Sequence, residues 1–134
     1  MKPEIVALKA FYEPALAALE RDFVVHRAYA APDPMAYLLQ HCGNARAAIS
    51  TTTTEVTRGH FEALPKLELV ACYGPYVTLI DFAAARDHQV AVTHTPDSTA
   101  EPVADLAMGM IVAVMRRLCE ADRFVRSGAW PSRV

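Results

Sequence analysis

Short runs of Val, Ile, Leu and Ala alternate along the chain with stretches whose apolar positions recur at helical spacing. Runs at residues 4–8, 23–26, 45–50, 67–72 and 89–93 predict strands, and stretches at 14–21, 34–41, 57–64 and 82–87 predict helices. The strand runs are almost continuously apolar, as in parallel strands buried on both faces. Strand and helix in alternation predict an α/β fold. Because right-handed crossovers leave few arrangements, a flavodoxin-like five-stranded parallel sheet in the order 2-1-3-4-5 is expected.

Helix starts support the division. Asp33 followed by Pro34 offers an N-cap and a proline at the first helical position, and Asp81 can cap the Ala83-Ala84-Ala85-Arg86 stretch. The last element differs. Ser98-Thr99-Ala100-Glu101 has the form of a capping box, Pro102 sits in the first turn, and helical patterning then runs unbroken to about Val125. A long C-terminal helix of roughly 40 Å is expected. Its first half, with Val103, Leu106, Met108, Met110, Ile111, Val112, Val114 and Met115, is apolar on nearly every face, more than a small domain can cover. The predicted organisation is a domain at 1–98, the long helix at 99–128 and a tail at 129–134.

Composition narrows the function classes. At 134 residues, 53% hydrophobic and with a formal net charge of -2, the chain is neither a disordered polar segment nor an electrostatic binder of nucleic acid. Cys42, Cys72 and Cys119 are widely spaced and form no zinc or disulfide pattern, so a reducing, cytoplasmic setting is expected. The N-terminal apolar run is broken at Lys9, too early for a signal peptide. The longest apolar stretch, residues 106–115, is about half a bilayer span, so no membrane association is expected. His26, His41, His60 and His88 show no metal-ligand spacing.

From Leu64 onward, several motifs occur in order. They are Leu64-Pro65-Lys66-Leu67-Glu68-Leu69-Val70-Ala71-Cys72-Tyr73-Gly74, then Ile80-Asp81 with the alanine-rich helix, Val92-Thr93-His94-Thr95-Pro96-Asp97, Val103-Ala104-Asp105-Leu106-Ala107 and Glu120-Ala121-Asp122-Arg123-Phe124-Val125-Arg126. In these motifs the chain resembles the D-isomer-specific 2-hydroxyacid dehydrogenases, particularly their glyoxylate and hydroxypyruvate reductases; the first sixty residues fit the pattern more loosely. The resemblance implies a flavodoxin-like substrate domain whose long helix leads into a Rossmann domain that binds NAD or NADP. It also implies a small 2-oxo or 2-hydroxy acid substrate, and a homodimer through the helix from Pro102 to Val125. No G-x-G-x-x-G occurs, and no catalytic, cofactor-binding or metal-binding residue carries over. The expectation is a chain that stops short of the Rossmann domain and transfers no hydride alone.

The resemblance does imply half of a substrate site. In the family the loop after the fourth strand reads roughly Gly-Val-Gly-Val-Asp, and its N–H groups hold the substrate carboxylate; here the loop is Gly74, Pro75, Tyr76, Val77 and Thr78. Pro75 has no N–H, and Tyr76 replaces a glycine with a large ring. Thr52 and Thr53, in the run Thr51-Thr52-Thr53-Thr54, stand where relatives often carry glycine, and His94 stands where asparagine is common. All lie at the carboxyl ends of strands, where open α/β sheets bind ligands. Alternatives stay open. Cys72 and His94 could form an activated thiol pair or be a buried cysteine beside a loop histidine. Tyr73 and Tyr76 could line a pocket or cap the core edge, and the threonines could bind an anion or only their own backbone. The clustered departures also fit a stand-alone or engineered domain with a repurposed edge, serving as a binding or assembly module or carrying unrelated chemistry.

Overall fold

The computed structural model describes residues 2–130. The expected tail therefore lies mostly outside the described residues. Five strands, β1 Glu4–Ala7, β2 Val24–Arg27, β3 Ala45–Thr51, β4 Leu69–Tyr73 and β5 Ala91–Thr93, form one sheet in the order β2-β1-β3-β4-β5. Every pairing is parallel. The predicted α/β architecture and strand order are those observed. Between the strands lie α1 Glu13–Leu19, α2 Pro34–His41, α3 Arg58–Ala63 and α4 Phe82–Asp87.

Local chemistry accounts for the helix ends. The Asp33 carboxylate accepts from Ala36 N–H at 3.0 Å, and that of Asp81 from Ala84 N–H at 2.8 Å. At α3 a capping box is made by Thr57 and His60, whose Nδ1 accepts from Thr57 N–H at 3.2 Å. The motif was invisible as a capping box because histidine stands where Glu or Gln is usual.

The two sheet faces are covered unequally. On one, α2 packs against α3 and α3 against α4, and Leu38, Cys42, Phe61 and Leu64 are buried with Val6, Ala48, Val70 and Cys72. Each of the larger side chains contributes roughly 1.5–3 kcal/mol by leaving water. The other face carries Ile5, Ala47, Ile49, Leu69 and Ala71, which with Leu19 of α1 line an apolar groove of about 750 Å³.

Residues up to Pro96 form one unit and those from Asp97 onward a second. The second corrects the expectation of one unbroken helix. It contains α5 Ala100–Met115 and α6 Leu118–Arg126, separated where Arg117 adopts a left-handed backbone at φ 53°. A left-handed residue ends the i to i−4 ladder, and the Arg117 carbonyl then accepts from the N–H groups of Glu120 and Ala121 to start α6. Arg117 also pairs through its guanidinium with Glu120. The 16 residues of α5 span only about 24 Å. Its N-cap is Thr99, one residue past the expected Ser98, and the Thr99 side chain makes no capping bond. No residue of α5 or α6 is buried.

Candidate functional site

The carboxyl ends of β3, β4 and β5 bring the predicted residues together. In-register pairing sets Ser50 beside Cys72 and Thr51 beside Tyr73, with Ala71 beside Thr93, so the turns that follow these strands are neighbours. Thr52 and Thr53 lie in the first turn, Gly74 to Thr78 in the second, and His94 follows β5.

The threonine turn is closed on itself. Thr51 N–H donates to Thr54 Oγ1 at 3.0 Å, Thr54 N–H to the Thr51 carbonyl at 3.0 Å, and the Thr51 hydroxyl meets those of Thr53 and Thr54 at 3.2 and 2.9 Å. These hydroxyls act first on local backbone, as threonine commonly does. Thr52 turns its methyl group toward Gly74, whose φ of 146° few residues with a side chain adopt.

Beyond Gly74 the backbone bonds are one-sided. The Gly74 carbonyl accepts from Thr95 N–H at 3.1 Å, that of Pro75 from His94 Nδ1 at 3.0 Å, that of Tyr76 from the Cys72 thiol at 3.3 Å, and that of Val77 from Ile80 N–H at 3.1 Å. Four successive carbonyls are thus satisfied from inside. Among the described residues, no acceptor meets the N–H groups of Tyr76, Val77 or Thr78. A trans peptide points its N–H opposite its C=O, so fixing the Pro75 and Tyr76 carbonyls turns the next two N–H groups the other way. Successive free N–H groups present a partial positive charge suited to a carboxylate.

Cys72 and His94 therefore each hold the loop backbone. A carbonyl only accepts, so His94 carries its proton on Nδ1. Cys72 is 4% exposed, whereas Tyr76 is 67% exposed. Tyr73 stands against Phe11 at a ring separation of 5.5 Å, and both line the apolar groove. Phe11 had no local sequence signal, because its neighbour is fixed only when β4 is placed. Cys72 as a loop anchor was missed for the same reason. Among the described residues, no group of three or more His, Cys, Asp or Glu could hold a metal ion, and no helix is long and apolar enough to cross a membrane.

The chain matches the family model for the D-isomer specific 2-hydroxyacid dehydrogenase catalytic domain over residues 5–128. It belongs to that family. The dehydrogenase likeness extends to individual relatives. Glyoxylate/hydroxypyruvate reductase A of Arabidopsis thaliana is 38% identical over 112 residues, covering 84% of this chain and 36% of the relative. A solved 2-hydroxyacid dehydrogenase from Ketogulonicigenium vulgare superposes with a TM-score of 0.88 at 35% identity, covering 97% of this chain and 41% of that one. The NADPH-dependent glyoxylate/hydroxypyruvate reductase of Sinorhizobium meliloti, solved with NADP and malonate, gives 0.71 at 26% identity, covering 97% and 40%. The chain thus spans about two fifths of the length of these dehydrogenases.

The helix starts of the first unit do not suit the nicotinamide dinucleotide that such dehydrogenases use. A pyrophosphate is held by free N–H groups and positive field at a glycine-rich helix start. Here α1 carries Glu13 in its first turn, and α2, α3 and α4 already spend N–H groups on Asp33, Thr57 and Asp81.

Proposed function

We propose that this chain is the substrate-holding part of an NAD(P)-dependent D-2-hydroxyacid dehydrogenase of the glyoxylate/hydroxypyruvate reductase type. The loop Gly74–Thr78 receives the carboxylate of a small 2-oxo or 2-hydroxy acid, with Thr52, Thr53 and His94 bordering it. The carrying observation is the one-sided loop, with four inward carbonyls and the N–H groups of Tyr76, Val77 and Thr78 left for a ligand. Amide donors favour the ionised carboxylate and fix its orientation, which sets the position of the adjacent oxo carbon. Pro75 removes one donor from the cradle and Tyr76 adds a ring at its rim, so the site favours a short acid. The described residues contribute binding and orientation, while the nicotinamide and the acid-base groups come from outside them.

Two further parts of this reading concern assembly and setting. The exposed apolar side chains of α5, among them Val103, Leu106, Ile111 and Met115, support a homodimer through the helical segment from Pro102 to Val125. The free thiols of Cys42, Cys72 and Cys119 fit a reducing, cytoplasmic setting. Neither a nucleic acid nor a membrane is assigned as a partner.

The test is oxidation of NADH and NADPH with glyoxylate or hydroxypyruvate, by the chain alone and by the chain fused ahead of the rest of the Arabidopsis reductase. The chain alone is expected to be inactive and the fusion active. A fusion that folds and binds NADPH without turnover overturns the reading, as does turnover by the chain alone.

A further inference from the structure

Two side chains far from each other in sequence grip adjacent peptide units of the loop. His94, from the end of β5, donates through Nδ1 to the Pro75 carbonyl at 3.0 Å, and Cys72, from within β4, donates its thiol proton to the Tyr76 carbonyl at 3.3 Å. Those carbonyls belong to the peptides whose N–H groups are on Tyr76 and Val77. We propose that His94 and Cys72 are positioning residues, which set the direction of the Tyr76 and Val77 N–H groups by holding the opposite ends of the same peptides and themselves touch no substrate.

The inference rests on the carboxylate reading above, and it adds a reason for these residue types. A peptide in an unanchored loop rotates freely about its flanking ψ and φ angles, and its N–H then spends only part of its time facing a ligand. Anchoring the carbonyl removes that freedom before binding, so the ordering cost is no longer taken from affinity. The two grips are unequal. An imidazole N–H is a full-strength donor at an exposed position, whereas a thiol is a weak donor, here compensated by burial.

Pro75 strengthens the arrangement. Its ring holds φ near the value of an extended or turn residue, leaving the Pro75 ψ as the one soft torsion between the Gly74–Pro75 peptide and the Pro75–Tyr76 peptide, and that torsion is the one the His94 bond fixes. The proline that removes a donor from the loop therefore reduces the freedom of the next.

The experiment uses the isotope-labelled chain in solution with sodium glyoxylate as probe. Long-range nitrogen spectra of wild-type protein should show His94 protonated at Nδ1. In His94→Leu the Pro75 carbonyl carbon signal should move toward its unbonded value and the dissociation constant for glyoxylate rise about tenfold, the equivalent of one hydrogen bond. His94→Asn, which keeps a donor, should restore both. Cys72→Ala should produce a smaller loss at the Tyr76 carbonyl, recovered by Cys72→Ser. A purely structural role predicts lower thermal stability without rescue of the carbonyl signal by the donor-bearing variants, and that result overturns the proposal. A His94 protonated only on Nε2, or a Pro75 carbonyl indifferent to His94→Leu, overturns it too. Failure of the carboxylate reading looks different. The Tyr76, Val77 and Thr78 amide signals of wild-type protein would then ignore glyoxylate, while the tautomer and the carbonyl signals would still decide the positioning role.

Discussion

Gly74 and Thr52 share a space that holds only one side chain: a Cβ on Gly74 would overlap the Cγ2 methyl of Thr52, and the Gly74 φ of 146° lies where L-residues rarely go. The turn after β3 and the loop after β4 are thus packed together at the point where the candidate carboxylate cradle begins. Glycine is required here for contact and for conformation, which are separable costs.

Replacing Gly74 with alanine should destabilise the fold by about 2–4 kcal/mol, part from the unusual backbone and part from the overlap. Adding Thr52→Ser, which deletes the Cγ2 methyl, should return the steric part only. Urea unfolding of the two single variants and the double variant measures the coupling. Additive losses would show that the overlap contributes nothing.

His60 should make the protein acid-sensitive. Burial pushes its pKa below the ordinary histidine value, against the smaller opposing influences of the Thr57 backbone and the Glu55 charge. A depressed folded pKa means that the unfolded chain takes up the proton first, so stability is fully present above about pH 6.5 and falls as the pH drops below it. Protonation of Nδ1 also removes the acceptor for Thr57 N–H. His60→Gln keeps a capping-box residue that does not titrate. The urea midpoint of this variant should fall less than that of wild type between neutral pH and pH 5. Equal slopes would remove His60 from the account.

The thiols of Cys119 and Cys42 should differ sharply in reactivity. Cys119 is exposed, whereas Cys42 is buried and its thiol is pushed up to about 11 by burial and then by the charge of Glu4. The thiolate is the reactive form. Iodoacetamide at pH 8, with the protein diluted to monomer, should label Cys119 within minutes while Cys42 stays unlabelled until the protein unfolds, as read by peptide mass spectrometry. Comparable labelling of Cys42 in folded protein would contradict the packing described for α2.

The proposed dimer predicts that Ile111→Asp or Met115→Asp raises the dimer dissociation constant at least tenfold, because a carboxylate would have to be buried in an apolar contact. Sedimentation velocity across a dilution series reads the shift. A dimer unchanged by both substitutions assigns the contact to another surface.

Much of this fold is legible in the sequence. Apolar runs and capping aspartates are local, and local chemistry decided the strands, Asp33 and Asp81 as helix starts, and by connection handedness the sheet order. The break at Arg117 was not legible, since no glycine or proline marks it and the left-handed residue is an arginine that finds its partner in Glu120. The His60 capping box was hidden by an unusual residue, and α5 takes Thr99, one residue past Ser98, as its N-cap.

What the sequence by itself determined was the set of residues available at the sheet's carboxyl edge: a glycine, a proline, a tyrosine, a threonine run, a cysteine and a histidine. Only the tertiary structure decided what each does there. Parallel pairing brought His94, 19 positions away in sequence, onto the Pro75 carbonyl, and set Thr52 against Gly74. Periodicity carries the direction a side chain takes from its own strand, but hydrogen bonds between loops depend on the register of neighbouring strands, and register is a property of the assembled sheet.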